Sequence, residues 1–404
     1  MKTERPWRDN VRQWEPYIHA FSALDETPSE GIKPGPLSGL AVGVKDIIDV
    51  AGLPTRNGSD TCRDAPPAAH DANVVAALRN AGADIIGKTT TTEFAFTDPT
   101  ACRNPYDVNR SPGGSSSGSG AAVAAGVVDI ALGTQTAGSL CRPAAYCGAV
   151  GFKPSYGVLP TDGVTPLAPS FDTMGIIAGF VGVVQAAFRQ MAPAAYEAPH
   201  PEVKTSLCAL WDSDVLPSPD TSEAFADASN TIDDLGLSSV SAAFNFDVDL
   251  IVAAHRVVMN FEAAAAHGAM LSDARVDMLK PKFLAGLRAG VEVSPSQAAD
   301  TAAILTEAKQ AFWQSLKDVD VILTLPVPEG APLIDGTTGY QDWLTPWTVF
   351  GGPLICLPWG MDRLGRPRSV MLAAHPHKDT QLLALAAQLA EQSPPLVRPH
   401  MPSL

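Results

Sequence analysis

The sequence predicts an α/β fold built on a covered, mostly parallel β-sheet, and three observations carry that prediction. Strand-like and helix-like segments alternate along the first part of the chain. The strand-like segments are apolar throughout, as in strands buried on both faces. Hydrophobic residues make up 46% of the 404 residues and charged residues 18%, enough apolar surface for a large core.

Each element follows from its local pattern. Residues 40–44 (Leu-Ala-Val-Gly-Val) read as a first strand that runs into Lys45-Asp46 and a turn at Gly52-Leu53-Pro54. A helix is expected over 72–80, with Val74, Val75 and Leu78 on one face and Asp71 as its N-cap. Residues 83–87 read as a short buried strand. The tract from Ser111 to Gly120 is almost entirely Gly and Ser; 121–125 should be helical and 127–132 a buried strand. A second small-residue loop, Gly133-Thr134-Gln135-Thr136-Ala137-Gly138-Ser139, ends at Pro143. A Gly/Ser tract is ordinarily a flexible linker. This one lies between patterned core segments with no shift in composition, which marks it as a built loop. Residues 192–247 are Pro-rich and acidic in part and suggest a surface insertion or lobe boundary. Helical periodicity returns over 252–270 and 295–316, 319–325 is strand-like, and the last helix is expected over 380–391. The length allows two or three domains or one large one.

Composition removes several function classes. A net charge of −15 opposes binding to a phosphate backbone and to anionic lipid. The N-terminus is charged and lacks the apolar stretch of a secretory signal. The longest apolar-plus-Gly run, 174–184, falls short of the ~18 residues of a membrane span. Six scattered cysteines without a Cys-x-x-Cys pair suit the reduced thiols of a cytoplasmic enzyme. Cys141 and Cys147 read as small core residues. No zinc-ligand spacing occurs, and His375-Pro376-His377 reads as a surface pair. The tract over 113–120 has no lysine behind it, so it is not a phosphate-cradling loop. Gly114 to Gly118 matches Gly-x-Ser-x-Gly, but the preceding Asn109-Arg110-Ser111-Pro112 cannot be the strand that a hydrolase elbow requires.

Two serine-bearing loops, around Ser115 and Ser139, and one lysine in an apolar frame remain. Lys45 is open to two roles: half of a buried ion pair, or a desolvated neutral amine acting as a base. The second requires its pKa to fall by ~3 units from ~10.4.

These residues carry a resemblance. Gly113-Gly114-Ser115-Ser116-Ser117-Gly118-Ser119, the loop from Gly133 to Pro143, and Gly148-Ala149-Val150-Gly151-Phe152-Lys153-Pro154 resemble the amidase signature family. So do Gly43-Val44-Lys45-Asp46, Gly87-Lys88-Thr89 with Glu93-Phe94-Ala95, and Thr345-Pro346-Trp347-Thr348 leading into Gly351-Gly352-Pro353. The likeness covers most of the chain and is weakest over 190–310. It implies a single domain over 1–404 with the amidase signature fold, a mixed, mostly parallel central β-sheet wrapped by α-helices. It implies Ser139 as nucleophile, Ser115 as the bridging serine joined to Gly114 by a cis peptide, and Lys45 as base. Backbone N–H groups of Thr136, Ala137, Gly138 and Ser139 would form the oxyanion hole. The implied substrate is a small amide, without metal or organic cofactor, and a homodimer is left open.

The chain departs from the commoner family pattern Gly-Thr-Asp-x-Gly-Gly-Ser-(Ile/Val)-Arg-x-Pro. Gln135 replaces the Asp, Ala137 the first Gly of the pair and Cys141 the Arg, while an arginine appears one place later as Arg142. This variant is similar to the malonamidases of that family, in which an arginine at the same offset holds a substrate carboxylate. Arg142 is therefore expected to clamp such a carboxylate bidentately, the alternative being a structural arginine capping carbonyls beneath the loop. Pocket-lining positions are expected over 161–175 and 339–350, with Phe171, Trp343 and Trp347 as their aromatics. The competing functions are a glutaminase component of a tRNA-dependent amidotransferase and a non-catalytic binding protein on the same fold.

Overall fold

The computed structural model describes residues 6–25, 33–197, 202–240, 244 and 246–401. The expectations that rest on residues 1–5 and on 199–201 lie outside the described residues. Among those described, one sheet of eleven strands runs through the molecule in the order β1-β3-β2-β4-β6-β5-β10-β11-β9-β7-β8. The strands are β1 (Phe21–Leu24), β2 (Ala41–Lys45), β3 (Asp84–Thr89), β4 (Ile130–Gln135), β5 (Val150–Lys153), β6 (Thr173–Ala178), β7 (Thr205–Cys208), β8 (Ser238–Ser239), β9 (Val321–Thr324), β10 (Leu354–Met361) and β11 (Pro367–Ala374).

The sheet is mixed. Pairing is parallel at β2–β3, β2–β4, β7–β8 and β7–β9. It is antiparallel at β1–β3 and from β4 through β6, β5, β10 and β11 to β9. The parallel pairs β2–β3 and β7–β8 are joined by the crossovers that contain Asn73–Asn80 and Pro219–Asp234, and such pairs need a crossover of that kind. The antiparallel centre brings together strands far apart in sequence, such as β5 and β10, which periodicity within one strand does not reveal. Every residue of β2, β3, β4, β5 and β6 is buried, in keeping with their unbroken apolar character.

Most predicted elements form with shifted ends. The helix expected over 72–80 spans Asn73–Asn80, but Asp71 does not cap it. Its carboxylate instead accepts from Arg79 Nε at 2.8 Å and from the Ala51 N–H at 2.8 Å. Residues set apart by composition within 192–247 supply β7, the helix Pro219–Asp234 and β8 to one end of the same sheet. No helix among the described residues is long and apolar enough to cross a membrane.

The Gly/Ser tract is interior structure. Residues 111–120 are all buried, and the helix Ser117–Ala124 starts within them. A Cβ at Gly118 would stand 2.1 Å from the Ala20 carbonyl oxygen, and one at Gly133 would stand 2.8 Å from Ser116 Oγ. At Gly118 backbone packs on backbone, and at Gly133 the chain packs against the Ser116 and Leu140 side chains, so neither position has room for a larger residue.

Candidate active site

The parallel neighbours β2 and β4 deliver the two sides of the site at their carboxyl ends, where open α/β sheets place ligands. β2 ends on Lys45; β4 ends on Thr134 and Gln135 and continues into the turn 136–139. The serine loop lies across both. Its Ser116 N–H donates to the Ser139 carbonyl at 3.1 Å, and the Ser115 carbonyl accepts from the Thr92 N–H at 3.1 Å. The Gly114–Ser115 peptide is cis.

Lys45 has no solvent exposure, and its Nζ lies 2.6 Å from Ser115 Oγ and 2.7 Å from Thr134 Oγ1. No carboxylate pairs with it within 4.0 Å among the described residues. The adjacent Asp46 pairs instead with Lys88, Oδ1 to Nζ at 3.0 Å. The ion-pair alternative therefore belongs to Lys88, and Lys45 faces two hydroxyls. Burial pulls the Lys45 ammonium down to about 7, against the pull of the Asp172 carboxylate in the other direction. Near neutral pH a good fraction of the side chain is a free amine.

Ser139 is 5% exposed, and its hydroxyl makes no protein hydrogen bond among the described residues. Around it, the turn 136–139 has a consistent polarity. The Thr136 carbonyl accepts from His255 Nε2 at 2.8 Å, and the Ala137 carbonyl from Thr348 Oγ1. The Gly138 carbonyl accepts from the Arg142 N–H at 3.1 Å and the Ser139 carbonyl from the Ser116 N–H. None of the four N–H groups of residues 136–139 donates to a protein acceptor among the described residues. The carbonyls are tied back and the donors are left over, as an anion site made of backbone requires. Ala137 does not adopt a positive φ, so a side chain is tolerated where the commoner pattern has glycine. At Gly138 a Cβ would stand 2.9 Å from Leu344 Cδ1, so a larger residue there requires the Leu344 side chain to move.

Gln135 takes over much of what an acid would do at its position. Its Oε1 accepts from the Leu140 and Cys141 N–H groups at 3.1 and 2.9 Å, at the start of the helix Cys141–Tyr146. Its Nε2 donates to Thr348 Oγ1 at 3.0 Å. Cys141 is buried, and burial pushes its thiol up to about 12; Cys147 is pushed up as well. Neither is a nucleophile in waiting. His375 and His377 contact the Leu316 carbonyl and the Tyr196 hydroxyl.

Arg142 departs from its expected role. It is 1% exposed, and its Nε and Nη2 both donate to the Gly114 carbonyl at 3.1 and 2.7 Å. Nη1 donates to the Gly339 carbonyl at 2.7 Å. The edge that would fork onto a substrate carboxylate is occupied by the peptide just before Ser115, so the bidentate clamp gives way to carbonyl capping.

Two cavities adjoin these residues. One, of about 330 Å³, is lined by Ile47, Ala95, Thr134, Tyr156, Asp172 and Thr173 among others. Asp172 is anchored there by Thr136 Oγ1 at 2.6 Å and by the Leu167 and Ala168 N–H groups at 2.8 and 3.0 Å. The other, of about 510 Å³, is lined by Arg142, Arg256, Lys282, Thr338, Gln341 and Asp342 among others. Its walls touch the glycines before Ser115 and Ser139. Cβ positions on Gly114 and Gly138 would meet Thr338 at 2.8 Å and Gln341 at 3.5 Å. The segments 161–175 and 339–350 do reach these cavities, but Trp343 and Trp347 do not line them. Trp347 packs on Trp211 at 4.8 Å between ring centroids, and Phe171 lies against His255 at 4.4 Å. His255, Arg256 and Lys282 carry no local motif and Thr348 lies in the Thr345-Pro346-Trp347-Thr348 run with no role assigned to it; only the fold brings them here.

Comparison with known proteins agrees with this architecture. A model of the Amidase family matches residues 12–383. A glutamyl-tRNA(Gln) amidotransferase component of Halobacterium salinarum is 46% identical over 169 residues, 40% of this chain and 39% of that protein. The chain thus spans well under half of that relative. The corresponding glutamyl-tRNA(Gln) amidotransferase component of Haloarcula marismortui is 33% identical over 426 residues, covering 91% of this chain and 98% of that protein. The crystal structure of an amidase superposes with a TM-score of 0.85 at 25% identity, covering 96% of this chain and 95% of the other. The family match across most of the sequence and a full-length relative identify this chain as a member of the amidase signature family.

Proposed function

We propose that the protein is a serine amidase that cleaves the C–N bond of small amides through an acyl-enzyme on Ser139. The observation that carries this reading is the buried contact of Lys45 Nζ with Ser115 Oγ at 2.6 Å, with hydroxyl partners only. A serine hydroxyl is a weak nucleophile until a neighbour takes its proton. As Ser139 Oγ attacks the amide carbon, its proton passes to Ser115 Oγ, and the Ser115 proton passes to the lone pair of neutral Lys45. Thr134 keeps the amine oriented. The oxygen that gains charge is met by the unpaired N–H groups of 136–139, each worth ~3 kcal/mol or so. Collapse expels the amine or ammonia, which takes a proton back along the same relay. Water, activated by the same path, then releases the acid and restores Ser139.

Mass spectrometry of the protein quenched during turnover of an amide panel tests this. The expected result is an acyl adduct on the peptide that contains Ser139. No turnover and no adduct would overturn the reading.

The finer reading is a malonamidase-like substrate that bears a carboxylate. What supports it is the larger cavity, where Arg256 and Lys282 line a wall that holds a single carboxylate, Asp342, in a chain of net charge −15. Arg256 is exposed and makes no ion pair within 4.0 Å among the described residues. Arg256→Ala is expected to weaken kcat/KM for malonamate-type amides by about 10-fold and to spare neutral amides of equal length. Arg142→Ala should instead lower Tm and damage charged and neutral substrates alike, since it frees the Gly114 and Gly339 carbonyls. Comparing both variants on both substrates separates recognition from loop support; equal losses in Arg256→Ala would remove the anionic substrate.

The likeness to glutamyl-tRNA(Gln) amidotransferase components favours a second reading, a glutaminase that hands ammonia to a partner. Turnover of free amides by the isolated chain supports the first; glutamine hydrolysis only with co-purifying partner proteins supports the second.

A further inference from the structure

A trans peptide points its C=O and N–H in opposite directions, so whatever grips the carbonyl of one residue aims the N–H of the next. Applied to the turn 136–139, this assigns each unpaired donor a holder. His255 on the Thr136 carbonyl aims the Ala137 N–H. Thr348 on the Ala137 carbonyl aims the Gly138 N–H, and the Arg142 N–H on the Gly138 carbonyl aims that of Ser139. The third holder is backbone within one helical turn. The first two are side chains from distant elements, the helix Val248–His267 and the helix Thr345–Phe350.

We infer that His255 and Thr348 are positioning residues that hold the oxyanion hole in its working orientation by gripping carbonyls on its far side. The inference rests on the proposed acyl chemistry at Ser139. Both side chains are 3% exposed, so water does not compete for the carbonyls. Each is itself fixed. The His255 ring packs on Phe171, and burial holds it neutral, its pKa pulled down to about 4; the carbonyl partner then sets the proton on Nε2. Thr348 is held by Gln135 Nε2 and donates onward, so the residue that replaces the family's acid also steadies one donor of the hole. Without either grip, a peptide of the turn is free to rotate its carbonyl toward the oxyanion, which would repel it.

The test uses pairs of variants that remove or keep the donor: His255→Phe against His255→Gln, and Thr348→Val against Thr348→Ser. Two readouts are taken, kcat and KM on one amide, and the rate at which an alkyl fluorophosphonate phosphonylates Ser139, which also places charge on an oxygen in the hole. In His255→Phe and Thr348→Val both kcat and phosphonylation should fall about 10- to 100-fold, with KM within about threefold. Gln and Ser should restore both rates to within about fivefold of wild type. If the Phe and Val variants keep wild-type rates, or if Gln and Ser are no better than Phe and Val, the inference is overturned. Should Phe or Val unfold the protein, the Gln and Ser variants decide it, since loss of rate in these folded forms overturns it too. A wild-type enzyme that is neither labelled at Ser139 nor active on amides would overturn the amidase reading itself.

Discussion

Lys45→Arg should be as inactive as Lys45→Ala, with amide turnover lost by about 10³-fold or more in both. Arginine restores charge and hydrogen-bonding reach but cannot give up its proton. If Lys45 acted only as a cation, arginine would rescue activity; more than a tenth of the wild-type rate would rule out a neutral base. The pH profile of the wild type carries the same information. Because burial brings Lys45 to about 7, kcat/KM should fall tenfold per pH unit below that value and level off above it. The same shift acts on stability. The unfolded chain binds a proton at Lys45 between about pH 7 and 10.5 that the folded chain does not, so stability rises with pH across that window. The cost is fully present below pH 7 and amounts to about 5 kcal/mol, an order-of-magnitude figure. Lys45→Met should therefore compare more favourably with wild type in Tm at pH 7 than at pH 10. A gap independent of pH would mean that Lys45 stays charged in the folded protein.

Ser139→Ala should abolish the acyl-enzyme altogether, whereas Ser115→Ala should slow its formation by about 10²- to 10⁴-fold and leave its location unchanged. In the proposed reaction Ser139 carries the atom that bonds to the acyl carbon. Ser115, in contact with Lys45, would relay the proton there, and its loss would leave the proposed nucleophile without that path. Peptide mapping of slowly formed adducts in Ser115→Ala distinguishes the two roles. An adduct on Ser115 or Ser116 in the wild type would exchange them.

Much of this site was legible in the sequence because its chemistry is local. A lysine closing an apolar strand and two small-residue loops mark the region, the family resemblance implies Lys45, Ser115 and Ser139 within it, and the fold brings Lys45 to Ser115. Side-chain direction was not legible. Asp71 stands where a cap belongs, yet a nearby arginine and a distant backbone N–H compete for its carboxylate and win. Arg142 sits at the right offset for a substrate, but the buried Gly114 carbonyl and the half-buried Gly339 carbonyl take its donors. The helix Cys141–Tyr146 was hidden because Pro143 looks like a terminator; it falls in the first turn, where no N–H is needed. His255 and Thr348 lie 119 and 211 residues from the carbonyls they hold, and no spacing rule connects them.

The helix Val248–His267 has a consequence for how this protein could acquire new substrates. His255 on that helix grips the Thr136 carbonyl, while Arg256, Met259 and Asn260 line the larger cavity. His255 and Met259 are four apart and share one face of a rigid rod. A change of volume at 259 or 260 that tilts or slides the rod to admit a new substrate is transmitted to the histidine above it. If His255 holds the turn as inferred, selection for altered preference on this helix trades against turnover. Variation in the opposite wall is no freer, because Thr338 and Gln341 abut Gly114 and Gly138, the residues before the two serines.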